Sequence, residues 1–175
     1  MTRTKKLIFI SILLAQALVL QYIEGFIPIP IPAPGVKLGL ANIVIMITIV
    51  IFGLKVATTL VVLRSFMGAM FVGTISSFFF SLGGGLLSLI AMYILFRYYK
   101  DYFSFMGISI VGAIFHNIGQ LFVASLVISN FGIFTYLPIL MLSGILTGYF
   151  VGLATKYILD ILSINLKILN KTNKI

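Results

Sequence analysis

The sequence lacks cysteine, and it has few charged residues, with acids the scarcest. The absence of cysteine excludes disulfides and thiol chemistry. With only one histidine, His116, the chain also has no set of nitrogen and sulfur ligands for a metal site. Only 9% of the 175 residues are charged, and three of them are acidic. A soluble domain of this length needs far more charge to cover its surface, so the composition excludes that class.

Hydrophobic residues make up 61% of the chain, and several runs approach the roughly 20 apolar residues that cross a bilayer. These runs are continuously apolar, so they predict an all-α integral membrane protein with a single domain, residues 1–175. No A-x-A-like cleavage site follows the first run, which we therefore expect to be retained as a helix. The six expected membrane helices lie at about 7–23, 38–53, 56–72, 80–97, 104–128 and 135–160.

The basic residues favour one orientation of these helices. If the N-terminus lies inside, the inner side receives nearly all of the Lys and Arg residues; the outer side receives only Lys37, and Arg64 falls within a span. Basic residues concentrate on the cytoplasmic side of membrane proteins, so both termini are predicted to be cytoplasmic. The net charge of +9 therefore indicates orientation and not nucleic-acid binding. The tail, residues 161–175, is predicted to be amphipathic and to lie on the inner surface.

An outer loop at 25–37 reads "GFIPIPIPAPGVK". Alternating Ile-Pro cannot form a helix, because each proline lacks a donor and restricts the residue before it. The segment is therefore predicted to be an extended connector. Its carbonyls cannot lie bare in lipid, so it lies at the outer interface or folds back over the helices. Two interpretations stay open: a rigid outer loop, or a lid over an outward-facing pocket.

Arg64 is predicted to lie near the middle of the membrane. It follows Lys55 by about nine residues, or roughly 14 Å along a helix, in a hydrocarbon core about 30 Å thick. A charged arginine there costs at least a few kcal/mol unless it is paired or hydrated. No acid is expected to be an easy partner, because Glu24 belongs near the outer end of the first helix, and Asp101 and Asp160 near the inner side. Arg64 is thus predicted to meet helix-end carbonyls, water or an anionic ligand.

The fifth predicted helix carries polar residues on one face. Ser109, Gly112, His116 and Gln120 follow each other at spacings of three, four and four, and Asn117 lies beside them. A polar face in an apolar span normally points into the bundle. Such residues form hydrogen bonds between helices or contact a ligand, and the spacing alone is compatible with both.

Small residues mark two further places. Ser81, one of the serines before Gly83–Gly85, offers a hydroxyl to a ligand at the outer mouth, unless this stretch is a simple loop. Gly144, Gly148 and Gly152 repeat every four residues in the last helix, which predicts close packing against another helix.

Three stretches carry a resemblance to a known family. "PAPGVKLGLANIVIMI" (32–47), "LRSFMGAMFVGTISSFFFSLGGGLLSLIAM" (63–92) and "ISIVGAIFHNIGQLFVA" (108–124) resemble, in this order, the Gx transporter family, also named heptaprenyl diphosphate synthase component I. That family resembles the S components of energy-coupling-factor (ECF) transporters, six-helix membrane proteins that capture micronutrients from outside. Gly39 and Asn42 stand where several S components have acids, so the chain departs from their pattern there.

The resemblance implies a substrate-binding component of a micronutrient uptake transporter in a bacterial plasma membrane. The residues that we expect to contact the small-molecule substrate are Lys37, Asn42, Arg64, Ser81, His116, Asn117 and Gln120. In S components an Ala-x-x-x-Ala pair on the first helix docks a transmembrane coupling subunit, and Ser11 and Ala15 resemble that pair. Because the chain has no nucleotide-binding loop, cytosolic ATPase subunits would have to use the ATP. No cofactor and no nucleic acid is expected, and membrane lipid surrounds the protein.

Other functions stay open. The family's second name implies a non-catalytic membrane subunit associated with heptaprenyl diphosphate synthase or isoprenoid-quinone metabolism. Chain-elongating prenyl synthases hold Mg²⁺ with clustered aspartates, whereas the three acids here lie about 60 residues or more apart, so the chain is not expected to be an enzyme. A passive channel or a scaffold of a membrane redox system is a third interpretation.

Overall fold

The computed structural model describes residues 3–26, 39–72 and 74–172, with side chains described as far as Leu162 except that of Val72. This part of the chain forms six α-helices and one short 3-10 helix, and it contains no β-strand. The helices are α1 (Arg3–Glu24), α2 (Asn42–Phe52), α3 (Leu54–Val72), α4 (Ile75–Tyr98), α5 (Phe105–Ile128) and α6 (Leu137–Thr172), with the 3-10 helix at Phe131–Tyr136. Of the predicted outer loop at 25–37, only Gly25 and Phe26 belong to the described residues, and Lys37 does not.

Five of the described helices, all except α2, are long and apolar enough to cross a membrane. The all-α membrane fold is therefore confirmed. α2 has 11 residues, or about 16 Å at 1.5 Å per residue, which is shorter than a hydrocarbon core of about 30 Å. The described part of α2 is thus not a full span, and the orientation of both termini stays a prediction.

Two helix boundaries differ most from the prediction. α4 begins at Ile75 and not near 80, because the Thr74 side chain caps it by accepting a hydrogen bond from the Ser77 N–H at 3.3 Å. Gly83–Gly85 therefore lie inside a helix and not in a loop. α6 continues to Thr172 instead of ending near 160, since no glycine or proline follows that would stop it.

α5 packs against α4 on one side and α6 on the other, and glycines bring the backbones close. A β-carbon placed on Gly119 of α5 would lie 2.7 Å from the Gly83 carbonyl oxygen of α4. A β-carbon placed on Gly148 of α6 would lie 2.5 Å from the Ile110 Cα of α5. The predicted close packing of the last helix is thus confirmed, and its partner is α5.

α2 lies in the apolar core, where Ile45 and Met46 are fully buried. It ends at Gly53, whose φ of 77° is a backbone conformation that favours glycine. The basic end of α1 meets this junction, because the Lys6 ammonium lies 5.9 Å from the centroid of the Phe52 ring. Phe9 packs edge-on against the same ring at 5.8 Å. The first basic segment and the α2–α3 junction therefore lie at one end of the bundle.

Candidate functional site

Polar side chains from five helices are buried at the centre of the bundle, each at most 5% exposed. We call this group the polar cluster; its members are Gln21, Glu24, Asn42, Arg64, Ser65, Ser81, His116 and Gln120. Polar and charged groups inside a membrane segment are costly, so their concentration in one place marks a candidate site.

Arg64 of α3 is the cation of the polar cluster, and only 2% of it is exposed. Its Nε and Nη2 atoms have no hydrogen-bond partner among the described residues. These two N–H groups lie on the same edge of the planar guanidinium, which binds carboxylate-like groups through two parallel hydrogen bonds. Within the described part of the chain, Arg64 therefore presents a buried two-donor edge that no other residue uses.

Glu24 is the nearby carboxylate that the sequence analysis did not assign to Arg64. It is buried, and its negative charge acts electrostatically on the guanidinium. Glu24 was expected near the end of the first helix, and it lies in the last turn of α1, from where its charge still acts on Arg64. Leu13, Ala17, Gln21 and Glu24 are the buried residues of α1. Their spacings of four, four and three place them on one helical face, a signal in the sequence that could have found Glu24.

Glu24 also holds the start of α2. One of its carboxylate oxygens accepts a hydrogen bond from the Gly39 N–H. Gly39 has a φ of 87°, a backbone conformation that favours glycine, so the chain can turn here towards α2. The last turn of α1 is thereby connected both to Arg64 and to the entry of α2.

His116 and Gln120 of α5 form a pair, with 3.0 Å between the His116 Nε2 and Gln120 Nε2 atoms. Gly84 of α4 packs on both: a β-carbon placed there would lie 2.8 Å from the His116 carbonyl oxygen and 2.6 Å from the Gln120 Cγ. A β-carbon on Gly85 would lie 3.0 Å from the Arg64 Nη2. The two glycines therefore bring the α5 pair and Arg64 to adjacent positions of α4.

Two buried amides complete the arrangement. Both polar atoms of Gln21 and both of Asn42 have no hydrogen-bond partner in the described part of the chain. Gln21 packs on Gly68, one turn beyond Arg64, and the Asn42 Nδ2 would lie 2.8 Å from a β-carbon on Gly39. An unsatisfied buried polar group costs about 1–3 kcal/mol, so these amides carry a cost that a bound partner would remove.

The other expected site residues lie around this centre. The polar face of α5 is buried as predicted: Ser109, Gly112, His116 and Gln120 all lie inside the bundle. Ser81 is joined to Ser65, the neighbour of Arg64, with 3.0 Å between the two hydroxyl oxygens.

Asn117 has a different environment from His116. Its Nδ2 donates to the Leu140 carbonyl oxygen of α6 at 2.7 Å. Its amide group is therefore directed to the α5–α6 contact, and no described hydrogen bond joins it to Arg64. Lys37 lies outside the described residues.

Ser11 and Ala15 lie on the exposed side of α1. Ala15 lines a groove of about 530 Å³ between α1, α2 and α6, together with Ile12, Ile47 and Ile158. This small-residue pair is thus directed away from the polar cluster, to a surface where another helix could approach.

The described residues contain no group of three or more His, Asp or Glu side chains that could hold a metal ion.

Comparisons with known proteins agree with the motifs. No curated protein and no solved structure matches the chain. The family model described as heptaprenyl diphosphate synthase component I matches residues 13–158. The match includes every member of the polar cluster and all three motifs, while Ser11 lies outside it. The chain therefore belongs to the heptaprenyl diphosphate synthase component I family, also named the Gx transporter family, as its motifs predicted.

Proposed function

We propose that this membrane protein is the substrate-binding component of a micronutrient uptake transporter, and that a small molecule from outside binds at the polar cluster. The observation that carries the proposal is the buried two-donor edge of Arg64, which has no hydrogen-bond partner among the described residues, as is also the case for the buried amides of Gln21 and Asn42. Buried polar groups in folded proteins are almost always hydrogen-bonded. A ligand with several acceptors and donors would satisfy these groups together.

The charges favour a particular kind of ligand. Arg64 suits a carboxylate or another group with two oxygens in one plane. Glu24 lies close enough to act on Arg64, so it would repel a ligand with several negative charges. A neutral, zwitterionic or singly charged molecule therefore fits better than a diphosphate. The His116–Gln120 pair and the Ser81 hydroxyl would contact the remainder of the ligand, and Lys37 is proposed to approach from the segment before Gly39.

Uptake would need partner subunits. The exposed Ser11 and Ala15 would let a helix of a transmembrane coupling subunit approach α1 closely. The same helix carries Gln21 and Glu24 on its buried side. A movement of α1 against its partner would thus reach the polar cluster directly. Cytosolic ATPases would supply the energy, and the protein would lie in a bacterial plasma membrane with six membrane segments and both termini inside.

A second candidate function is a non-catalytic membrane subunit of heptaprenyl diphosphate synthase, which the family's description favours. In that case the exposed side of α1 would bind a synthase subunit, and the polar cluster would only hold the helices together. The two functions differ in what accompanies the purified protein: a small molecule at Arg64, or a synthase polypeptide.

Native mass spectrometry of the protein extracted from its own membranes distinguishes them. We expect a small molecule to accompany the wild type and to be lost from Arg64→Gln. The matched control is Arg97→Gln, since Arg97 lies exposed in the last turn of α4 and loses the same charge. A small molecule retained equally by both variants, or a synthase subunit in place of any small molecule, would contradict the proposal.

A further inference from the structure

A second cavity lies away from the polar cluster, between the end of α4, the start of α5 and α6. Its volume is about 280 Å³. Two lysines line it, Lys100 just beyond α4 and Lys156 on α6. The rest of its wall is mostly aromatic and aliphatic and includes Phe96, Phe105 and Ile108. The cavity therefore combines two positive charges with an apolar wall.

Lys100 and Lys156 come from different elements and line the same cavity. Two like charges directed to one cavity repel each other, and an anion between them would remove that repulsion.

The first turn of α5 adds to the positive electrostatic potential in the cavity. Ser104 lines the cavity and caps the helix, its hydroxyl accepting a hydrogen bond from the Gly107 N–H at 3.3 Å. The N-terminal end of a helix carries a partial positive charge and favours phosphate groups. The lysines and the N-terminal end of α5 therefore both favour an anion in the cavity.

The apolar wall indicates an amphiphile in preference to a free ion. Phe96 and Phe105 are stacked with their centroids 6.4 Å apart, and Ile108 is 1% exposed. Such a wall binds hydrocarbon or glycerol carbons, which inorganic phosphate does not have. The volume lies just below the 300–1,000 Å³ of pockets that enclose drug-sized ligands, so it fits a headgroup and not a whole lipid.

We propose that this cavity binds the headgroup of an anionic phospholipid, with the phosphate between Lys100 and Lys156 and the glycerol carbons against the aromatic wall. The expected orientation, with the basic ends of the helices inside, places the cavity at the headgroups of the cytoplasmic leaflet. The proposal does not depend on the function of the polar cluster.

Reconstitution into nanodiscs of equal parts phosphatidylglycerol and phosphatidylcholine, followed by native mass spectrometry, tests it. Wild type should retain phosphatidylglycerol preferentially. Each lysine near an anionic headgroup contributes roughly fivefold, so Lys100→Gln/Lys156→Gln should lose about 25-fold of that preference. The control, Arg3→Gln/Lys55→Gln, removes two exposed charges that do not line the cavity and should keep the preference.

A rescue variant, a folding measurement and competition with inorganic phosphate complete the test. Lys100→Arg/Lys156→Arg should restore the preference for phosphatidylglycerol. Thermal unfolding should show that all variants are folded. If the double Gln variant is unfolded, Lys156→Gln alone should lose about fivefold of the preference. Excess inorganic phosphate should leave the lipid bound. The lipid proposal is overturned if phosphate displaces phosphatidylglycerol, or if the Gln variants retain the lipid as strongly as the control.

Discussion

The charge of Glu24, in the last turn of α1, acts on Arg64 in the middle of α3, and both side chains are at most 3% exposed. The same carboxylate accepts the Gly39 N–H at the start of α2. One acidic side chain therefore acts on three helices around Arg64, the only lysine or arginine that is buried among the described residues. This relationship makes the charge balance of the polar cluster testable.

Substitutions of Glu24 and Arg64 should have coupled effects on the stability of the protein. Removing one member of a buried charge pair typically costs about 3–5 kcal/mol, because it leaves the other charge uncompensated. We therefore expect Glu24→Gln and Arg64→Gln each to lower the unfolding temperature strongly, and the double variant to lose less than the sum. Glutamine keeps an oxygen that can accept the Gly39 N–H, so Glu24→Gln reports mainly on charge. Strictly additive unfolding free energies would show that the two side chains do not interact.

The contact between α4 and α5 should not tolerate added volume. In Gly119→Ala the new methyl group would meet backbone atoms, at 2.7 Å from the Gly83 oxygen and 2.9 Å from the Gly84 Cα. The helices would have to separate, at a cost of about 1–3 kcal/mol. Gly107→Ala, near the start of the same helix, meets only side-chain atoms, the nearest in the Phe103 ring at 3.3 Å, and is the control. Equal unfolding temperatures for the two variants would contradict the close packing.

The exposed side of α1 should be required for partner binding and not for ligand binding. Ser11→Leu/Ala15→Leu adds bulk to that side, so a coupling subunit should no longer copurify, while the small molecule should remain. Thr59→Leu adds bulk to an exposed position of α3 and should leave both unchanged. Normal copurification of the subunit with the α1 variant would place the docking surface elsewhere.

The absence of cysteine makes the orientation simple to measure, because a single introduced cysteine is the only site for labelling. Ile75→Cys at the start of α4 and Tyr99→Cys just beyond its end lie at opposite ends of a 24-residue helix. A membrane-impermeant maleimide should label position 75 in intact cells and position 99 only after the membrane is opened. Labelling of position 99 from outside would reverse the predicted orientation.

Much of this architecture was predictable because membrane helices are defined by local features. Apolar length gave the fold class, the spacing of Ser109, His116 and Gln120 gave the buried face of α5, and the four-residue glycine repeat gave the tight packing of α6. The partners of these faces were not predictable, since contacts between helices depend on how the helices tilt and which of them are neighbours. The electrostatic effect of Glu24 on Arg64 was not foreseen for this reason.

The start of α4 was missed for a different reason. The fourth helix was predicted to begin near 80, and a simple loop stayed open for the stretch that ends at Gly83–Gly85; glycine has a low helix propensity. Packing overrides that propensity here: Gly83 and Gly84 contact α5, and Gly85 lies beside Arg64. Without side chains, these positions allow two neighbouring helices to approach α4.

The central claim is that Arg64 binds the substrate, and its most direct test is calorimetric titration of the copurified small molecule into ligand-free wild type, Arg64→Lys and Arg64→Ala. A hydrogen bond to a charged group contributes about 1.5–3 kcal/mol, so Arg64→Ala should weaken binding by about 10- to 150-fold. Arg64→Lys should recover only part of this loss, because lysine lacks the two-donor edge. Unchanged affinity in an Arg64→Ala variant that unfolds cooperatively would show that Arg64 is structural and would contradict the claim.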